Sequence, residues 1–218
     1  MKIIIHLTPN TSLVPYNYQR NLVGTFHKWL GENQIHDETS LYSLSWLIGG
    51  RGVKGGLEFR NGATWNIAAF DLALLKILIR NIQKDPEVNF GMAVESISIC
   101  EEPKFAHKEK FYLASPIFVK RAEAGKIKFY LFDTEETDLL MTHTLQTKMK
   151  KAGVSHKGVQ VYFDRSYPSP KTKHIVYNGI ACKASYCPVI IEGTSEQIAF
   201  AWNVGIGNST GIGFGALK

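Results

Sequence analysis

The stretch "GLEFRNGATWNIAAFDLALLKILIRNIQKDP", residues 56–86, sets two β-prone runs before a helix. Asn61-Gly62 lies between the β-prone runs and is the best short hairpin signal in the chain. Asp71 then opens an apolar helix, "LALLKILIRNIQK", and Asp85-Pro86 stops it. Upstream, "KIIIHL" reads as a buried strand with a turn at Pro9-Asn10. Tyr18, Leu22, Phe26 and Trp29/Leu30 recur at helical spacing and predict an amphipathic helix over residues 17–33. "SLYSLSWLI" is strand-like, and "GGRGVKGG" is a glycine-rich connection into the central stretch. Downstream, "GMAVESISI" supplies a closing strand. The order is β-α-β-β-α-β, the ferredoxin-like arrangement in which helices cover one face of a sheet.

The same order recurs after a polar, proline-containing bridge, "EPKFAHKEK" at 102–110. "FYLASPIFVK" and "KIKFYLF" are strand candidates. Asp133 with Glu136 resembles a capping box for a helix that starts acidic and ends in Lys148, Lys150 and Lys151, with Gly153 to terminate it. "GVQVYF" and "HIVYNGIACKASYCPVIIEG" supply further strands. Thr194 and Gln197 form a second capping box, and a glycine run then leads to a last strand, "GFGALK". The expected fold class is α+β: two tandem ferredoxin-like (βαββαβ) halves with antiparallel sheets, an N-terminal domain over 1–101 and a C-terminal domain over 111–218. Only the order of elements repeats; no residue-level repeat accompanies it.

The chain has 218 residues, 44% hydrophobic and 20% charged, as in ordinary soluble domains. No apolar run approaches the roughly 18 residues of a membrane span, and the start, "MKIIIHLTPN", is too short an apolar stretch for a signal peptide, so a cytoplasmic protein is expected. Cys100, Cys182 and Cys187 lack the paired spacing of a zinc site and read as buried free thiols. The net charge of +6 points toward a polyanionic partner. Between residues 148 and 183, Lys148, Lys150, Lys151, Lys157, Arg165, Lys171, Lys173 and Lys183 face one acid, Asp164. Tyr162, Tyr167, Tyr177 and Tyr186 interleave with these cations and could stack on bases, which favours nucleic acid.

Near the C-terminus, "GIGNSTGIGFG" places five glycines, Gly205, Gly207, Gly211, Gly213 and Gly215, within eleven residues. Glycine serves where φ is positive or where a backbone approaches something closely, and such a run can offer amides to phosphate oxygens. It is neither a Walker A loop, since no Gly-Lys-Ser/Thr follows, nor a dinucleotide loop, since it follows a helix. Ile206, Ile212, Phe214 and Leu217 sit among or just after the glycines and argue for an ordered loop. The pattern resembles the C-terminal glycine-rich loop of RAMP-superfamily proteins, and in particular the CRISPR-associated endoribonucleases that process precursor crRNA. "VPYNYQ" (residues 14–19) ahead of the first helix and "IHDETSLYSLS", with His36 just before the second strand, extend that resemblance over nearly the whole chain.

The resemblance implies metal-independent RNA cleavage, without a cofactor. The substrate 2′-OH attacks the adjacent phosphate and leaves a 2′,3′-cyclic phosphate and a 5′-OH. His36 occupies the position of the family's catalytic histidine, and the pKa of histidine suits proton transfer near neutral pH. On the first helix, Arg20, Gly24, His27 and Gly31 share one stripe, so His27 is the candidate partner of His36; either can be acid or base. A mid-helix glycine costs about 1 kcal/mol relative to alanine, so Gly24 points to close approach of another backbone or of RNA. Arg20 or the glycine-loop amides are candidates to stabilise the phosphate.

Many family members carry a tyrosine on this helix and a lysine shortly after the histidine. Here the helix position is His27, and no lysine occurs between Asp37 and Ile48, which leaves Arg51 and Lys54 as substitutes. Adjacent Asp37 and Glu38 read as solvated turn residues, so no metal site is expected. The expected partner is CRISPR repeat RNA, with effector-complex proteins or a second copy of the chain as further candidates. The alternative reading is a noncatalytic RNA-binding RAMP subunit of an effector complex. A generic RNA-recognition domain is disfavoured, because the aromatic-rich RNP strand motif is not evident.

Overall fold

The computed structural model describes residues 1–31, 39–123 and 125–218. In the first half, β1 (Lys2–Leu7) leads to α1 (Gln19–Leu30) and β2 (Tyr42–Leu44). A small hairpin of β3 (Arg51–Val53) and β4 (Gly56–Glu58) follows, then β5 (Ala63–Ala69), α2 (Leu72–Lys84) and β6 (Val94–Cys100). The antiparallel sheet runs β2-β5-β1-β6, with the first and third strands of the βαββαβ unit at its centre. Ile3 and Ile5 of β1 stand opposite Ile67 and Trp65 of β5, and all four are fully buried. They pack in one cluster with Phe26 and Trp29 of α1 and with Leu75 and Leu78 of α2. Complete burial of each such side chain contributes about 1.5–3 kcal/mol, which is what holds both helices on this face. α2 starts as expected, with the Asp71 carboxylate accepting from the Ala73 amide at 2.8 Å.

The second half comprises β7 (Lys108–Phe111), β8 (Val119–Glu123), β9 (Lys126–Tyr130), α3 (Glu135–Ala152) and β10 (Gln160–Phe163). It continues with β11 (Lys171–Tyr177), β12 (Ile180–Tyr186), β13 (Val189–Glu192) and α4 (Ser195–Val204). β10, β13 and β7 make an antiparallel sheet in that order, and β8–β9 and β11–β12 are hairpins inserted into the second βαββαβ path. The expected last strand is reduced to one bridge, Leu113 opposite Leu217, flanked by the Ala114 amide on Ala216 O (2.8 Å) and the Lys218 amide on Tyr112 O (2.9 Å). Positive φ at Gly213 (91°) and Gly215 (64°) keeps the chain before it from extending. Among the described residues no helix is long and apolar enough to cross a membrane.

Two local expectations change. Asn61-Gly62 does not close a hairpin: β4 pairs with β3, so the turn carries the chain from the small hairpin into the main sheet. Gly62 (φ 79°) is held against the Leu7 carbonyl, where a Cβ would collide, and the Phe59 amide donates to Asn10 Oδ1 at 2.6 Å. The two-residue Asn-Gly hairpin is instead Asn178-Gly179, which joins β11 to β12 with φ of 49° and 76°, both positive as a type I′ turn requires. At α3 the N-cap is Thr134, not Asp133, because the Thr137 hydroxyl anchors the first turn to Leu131 O at 2.5 Å. The Thr194–Gln197 capping box of α4 forms with both of its hydrogen bonds.

The glycine-rich segment is packed between the halves. The Gly215 amide donates to Pro116 O (2.8 Å), the Ile206 amide to Gly215 O (2.9 Å) and the Asn208 amide to Phe118 O (2.7 Å). Ile206, Phe214 and Leu217 are fully buried. From the first half, Trp46 Nε1 donates to Gly213 O and Lys2 Nζ to Leu217 O, both at 2.8 Å, while Thr210 Oγ1 donates to Tyr42 O at 2.9 Å. Lys148 of α3 is 3% exposed, and its amine donates to Val204 O (3.0 Å), Gly205 O (3.4 Å) and Thr210 Oγ1 (2.9 Å). Burial lowers this amine from the ordinary lysine range to about 7, and burial lowers Lys2 to about 8.

Two outcomes follow from this packing. Gly215→Ala puts a methyl group onto the Ile206 carbonyl at positive φ, so chemical denaturation is expected to show a loss of more than about 2 kcal/mol. Lys148 binds its proton more weakly in the folded chain than in the unfolded one. Its penalty is therefore full below about pH 7 and fades as pH rises toward the unfolded lysine value. The thermal midpoint should rise between pH 6 and 9, and Lys148→Met should flatten that rise, leaving the smaller contribution of Lys2, which has the same sign.

Candidate nucleic-acid interface

Helix α1 buries Leu22, Phe26, Trp29 and Leu30 and turns Arg20, Gly24 and His27 to the other side. His27 is half-buried in the last turn, its ring edge-on to Phe26 with centroids 5.2 Å apart. Phe26 in turn stacks on Tyr42 of β2 at 4.9 Å. Gly31 (φ 75°) ends the helix, its amide donating to His27 O at 3.0 Å. His36, with Asp37 and Glu38, lies outside the described residues. The chain resumes at Thr39 and Ser40, which with Thr144, Lys148 and loop residues 207–212 line a cavity of about 350 Å³. The Ser40 hydroxyl bonds the Tyr42 phenol and both lie against Gly211, so the stacked Phe26–Tyr42 pair meets the glycine loop.

The five loop glycines are all buried, and the close approach that requires them is to the protein itself. A Cβ at Gly207 would stand 2.6 Å from Phe118 O, one at Gly205 2.7 Å from Gly215 O, and one at Gly211 against Ser40 Oγ. Gly213 lies beside Trp46. The outer rim of the loop is the half-exposed Asn208, Ser209 and Ile212, and Asn208 Oδ1 accepts from the Lys120 amide at 2.9 Å.

The cations named from sequence separate. Arg20 is exposed on a cleft between α1 and the tip of the β11–β12 hairpin. Arg51 and Lys54 lie on the β3–β4 hairpin beside Leu13 and Tyr16. That is the N-terminal end of α1, about 13 Å of helix from His27. Lys148 is corrected from surface cation to loop anchor, since burial removes its amine from solvent. Arg165 is held by Asp138 (2.6 Å) and Thr134 O (2.7 Å). Lys150, Lys151, Lys157 and Lys171 are exposed, and Lys173 sits over Tyr186 at 5.8 Å.

The four interleaved tyrosines are half-buried, and three of them are engaged within the protein. Tyr162 donates to Glu192, Tyr186 donates to Leu113 O, and Tyr167 meets Tyr112 edge-on.

Sequence reasoning missed the β8–β9 hairpin as a basic surface. Lys120, Arg121, Lys126 and Lys128 lie on it against one acid, Glu123. It abuts the β11–β12 hairpin through the Ile117–Ser185 bridge and the Phe132 amide on Ser185 Oγ at 3.0 Å. Lys171, Lys173 and Lys183 of that hairpin therefore share a neighbourhood with cations some fifty residues away in sequence. The signal was the alternation Lys126-Ile127-Lys128, which puts both lysines on one side of a strand.

The fold matches solved structures over the whole chain. A Cas6-related protein from Pyrococcus furiosus superposes with a TM-score of 0.86 at 20% identity, covering 100% of this chain and 97% of its own. A RAMP protein described as binding different RNA substrates gives 0.84 at 18% identity, covering 100% and 98%. A CRISPR RNA processing endoribonuclease, Cas6b, gives 0.54 at 13% identity, also covering 100% and 98%. A search of curated protein sequences finds no match. The sequence profile of the CRISPR associated protein Cas6, C-terminal region, matches residues 100–218, which take in both basic hairpins, the buried Lys148 and the glycine loop. The chain belongs to the Cas6 family of CRISPR-associated proteins.

Proposed function

We propose that the protein binds CRISPR repeat RNA and cuts precursor crRNA within its repeats, as a metal-independent endoribonuclease. The observation that supports this reading is the Ser40–Tyr42 pair set against Gly211 of the glycine loop, with Phe26 stacked on Tyr42 and His27 edge-on to Phe26. His36, three residues before Thr39 in the sequence, is assigned as the second histidine. One histidine takes the proton of the 2′-OH as its oxygen bonds to phosphorus. The P–O5′ bond breaks, and the other histidine protonates the departing 5′-oxygen. Arg20 and the rim of the glycine loop are the groups assigned to the phosphate charge. The neighbouring hairpins, β8–β9 and β11–β12, are assigned to the RNA backbone, with Lys126 and Lys171 exposed on them.

Cleavage of repeat RNA in excess EDTA tests the reaction. Wild-type protein should release 2′,3′-cyclic phosphate and 5′-OH ends, and a 2′-deoxy substitution at the scissile nucleotide should stop it. Persistent cutting of the deoxy substrate would sink the mechanism. His36→Ala is expected to lower the single-turnover rate by about 10²–10⁴-fold, and His27→Ala by a similar factor, with binding retained.

The position of Arg51 and Lys54, away from His27, favours a second reading, a noncatalytic RNA-holding subunit. Tight binding without any cleavage by clean protein would establish it.

Binding should weaken as salt rises. Lys126→Ala and Lys171→Ala should each reduce the slope of log K against log salt by about 0.7, the value for one single-strand phosphate contact. Unchanged slopes would remove the hairpins from the interface.

A further inference from the structure

Gly24 stands in the interior of α1, exposed, and nothing lies within 4 Å of where its Cβ would be. Helix interiors disfavour glycine relative to alanine, and here no neighbouring backbone or side chain requires it. Gly24 forms part of the wall of a cleft of about 690 Å³, within the range of small-ligand sites. Asn17, Arg20 and Asn21 line it from the α1 side, and Asn178 and Gly179 from the tip of the β11–β12 hairpin. One wall is fixed: Asn89 Nδ2 donates to Thr25 Oγ1 (2.7 Å) and to Asn21 O (3.0 Å). One end is closed by Lys28, bound to Asp85 (2.9 Å) and Glu87 O (2.7 Å). The side-chain amides of Asn17 and Asn178 have no hydrogen-bond partner among the described residues, so both offer a donor and an acceptor to the cleft.

We propose that this cleft takes one unpaired base of the bound RNA, with adenine preferred. A side-chain amide matches the adjacent acceptor and donor of adenine, and unstacked bases are the usual means of sequence-specific RNA recognition. Arg20 serves the flanking phosphate or stacks its guanidinium on the base. Gly24 leaves the helix surface flat where the base enters. The basic strands of β11–β12 run to the cleft's edge at Asn178-Gly179, so a backbone tracked along Lys171 and Lys173 reaches it. Arg20, Gly24 and His27 share a stripe of α1, so the base held here lies within two helical turns of the candidate histidine. The proposal rests on the RNA-binding reading above and adds a specificity site to it.

The test is fluorescence anisotropy with short oligoadenylate, oligocytidylate and oligouridylate on wild type, Gly24→Ala, Gly24→Gln and Asn178→Ala. Wild type should prefer oligoadenylate by about fivefold or more, the discrimination expected of one good amide–base pair. Gly24→Gln should erase that preference without changing the salt slope, because phosphate contacts remain. Asn178→Ala should reduce it, and Gly24→Ala should raise the thermal midpoint while weakening oligoadenylate binding. That combination separates a ligand-driven glycine from a packing one. Equal wild-type affinity for the three oligomers, or a Gly24→Gln variant that still prefers oligoadenylate, overturns the pocket and leaves RNA binding standing. Wild-type protein that binds neither the oligomers nor repeat RNA overturns both.

Discussion

The tightest constraint in the molecule is the approach of the glycine-rich segment to the carbonyls of Ile206, Pro116 and Phe118. Gly215 touches the first and donates to the second, and the Asn208 amide reaches the third. Those contacts seat Leu217 beside Leu113 and so complete the second sheet. They also expose Gly213 O and Leu217 O to Trp46 and Lys2 of the other half. A terminal segment thus acts as the joint between two βαββαβ units, and a side chain at most of its glycines would push the joint apart.

Lys148 sits beneath that joint. A buried ammonium held by two backbone carbonyls and one hydroxyl, with no carboxylate bound to it among the described residues, is driven by burial toward the neutral amine. The same residue looks like a surface cation in sequence, the first of a basic run. Its placement ties α3 to the wall of the cavity that Thr39 and Ser40 share with the loop. One side chain therefore touches both the joint and the wall of the candidate site.

Charge is arranged by topology rather than by sequence neighbourhood. The run from 148 to 183 divides among the end of α3, a turn in which Arg165 is spent on Asp138, and the β11–β12 hairpin. The β8–β9 hairpin, outside that run, joins the last of these through the Ile117–Ser185 bridge. Two adjoining hairpins with alternating lysines make a broader basic surface than either segment alone. The half-buried tyrosines nearby are occupied with Glu192, Leu113 O and Tyr112 and serve the fold.

Sequence alone determined the elements whose causes are local. Asp71, Gly153 and the Thr194–Gln197 box set helix ends because capping needs only adjacent residues. Alternating apolar residues in β1 and helical spacing in α1 marked the faces that bury, and the glycine pattern with His36 carried the family. What depended on distant partners was decided by tertiary structure. Asn61-Gly62 and Asn178-Gly179 are the same dipeptide, yet only the second closes a hairpin, because the first is held against Leu7 from another strand. Arg51 and Lys54 were near His36 in sequence but stand at the other end of α1 from His27. Lys148 reversed its reading, and Gly24 lost the backbone half of its own, for one reason: whether a residue meets solvent, protein or an open cleft is a property of what the rest of the chain brings beside it.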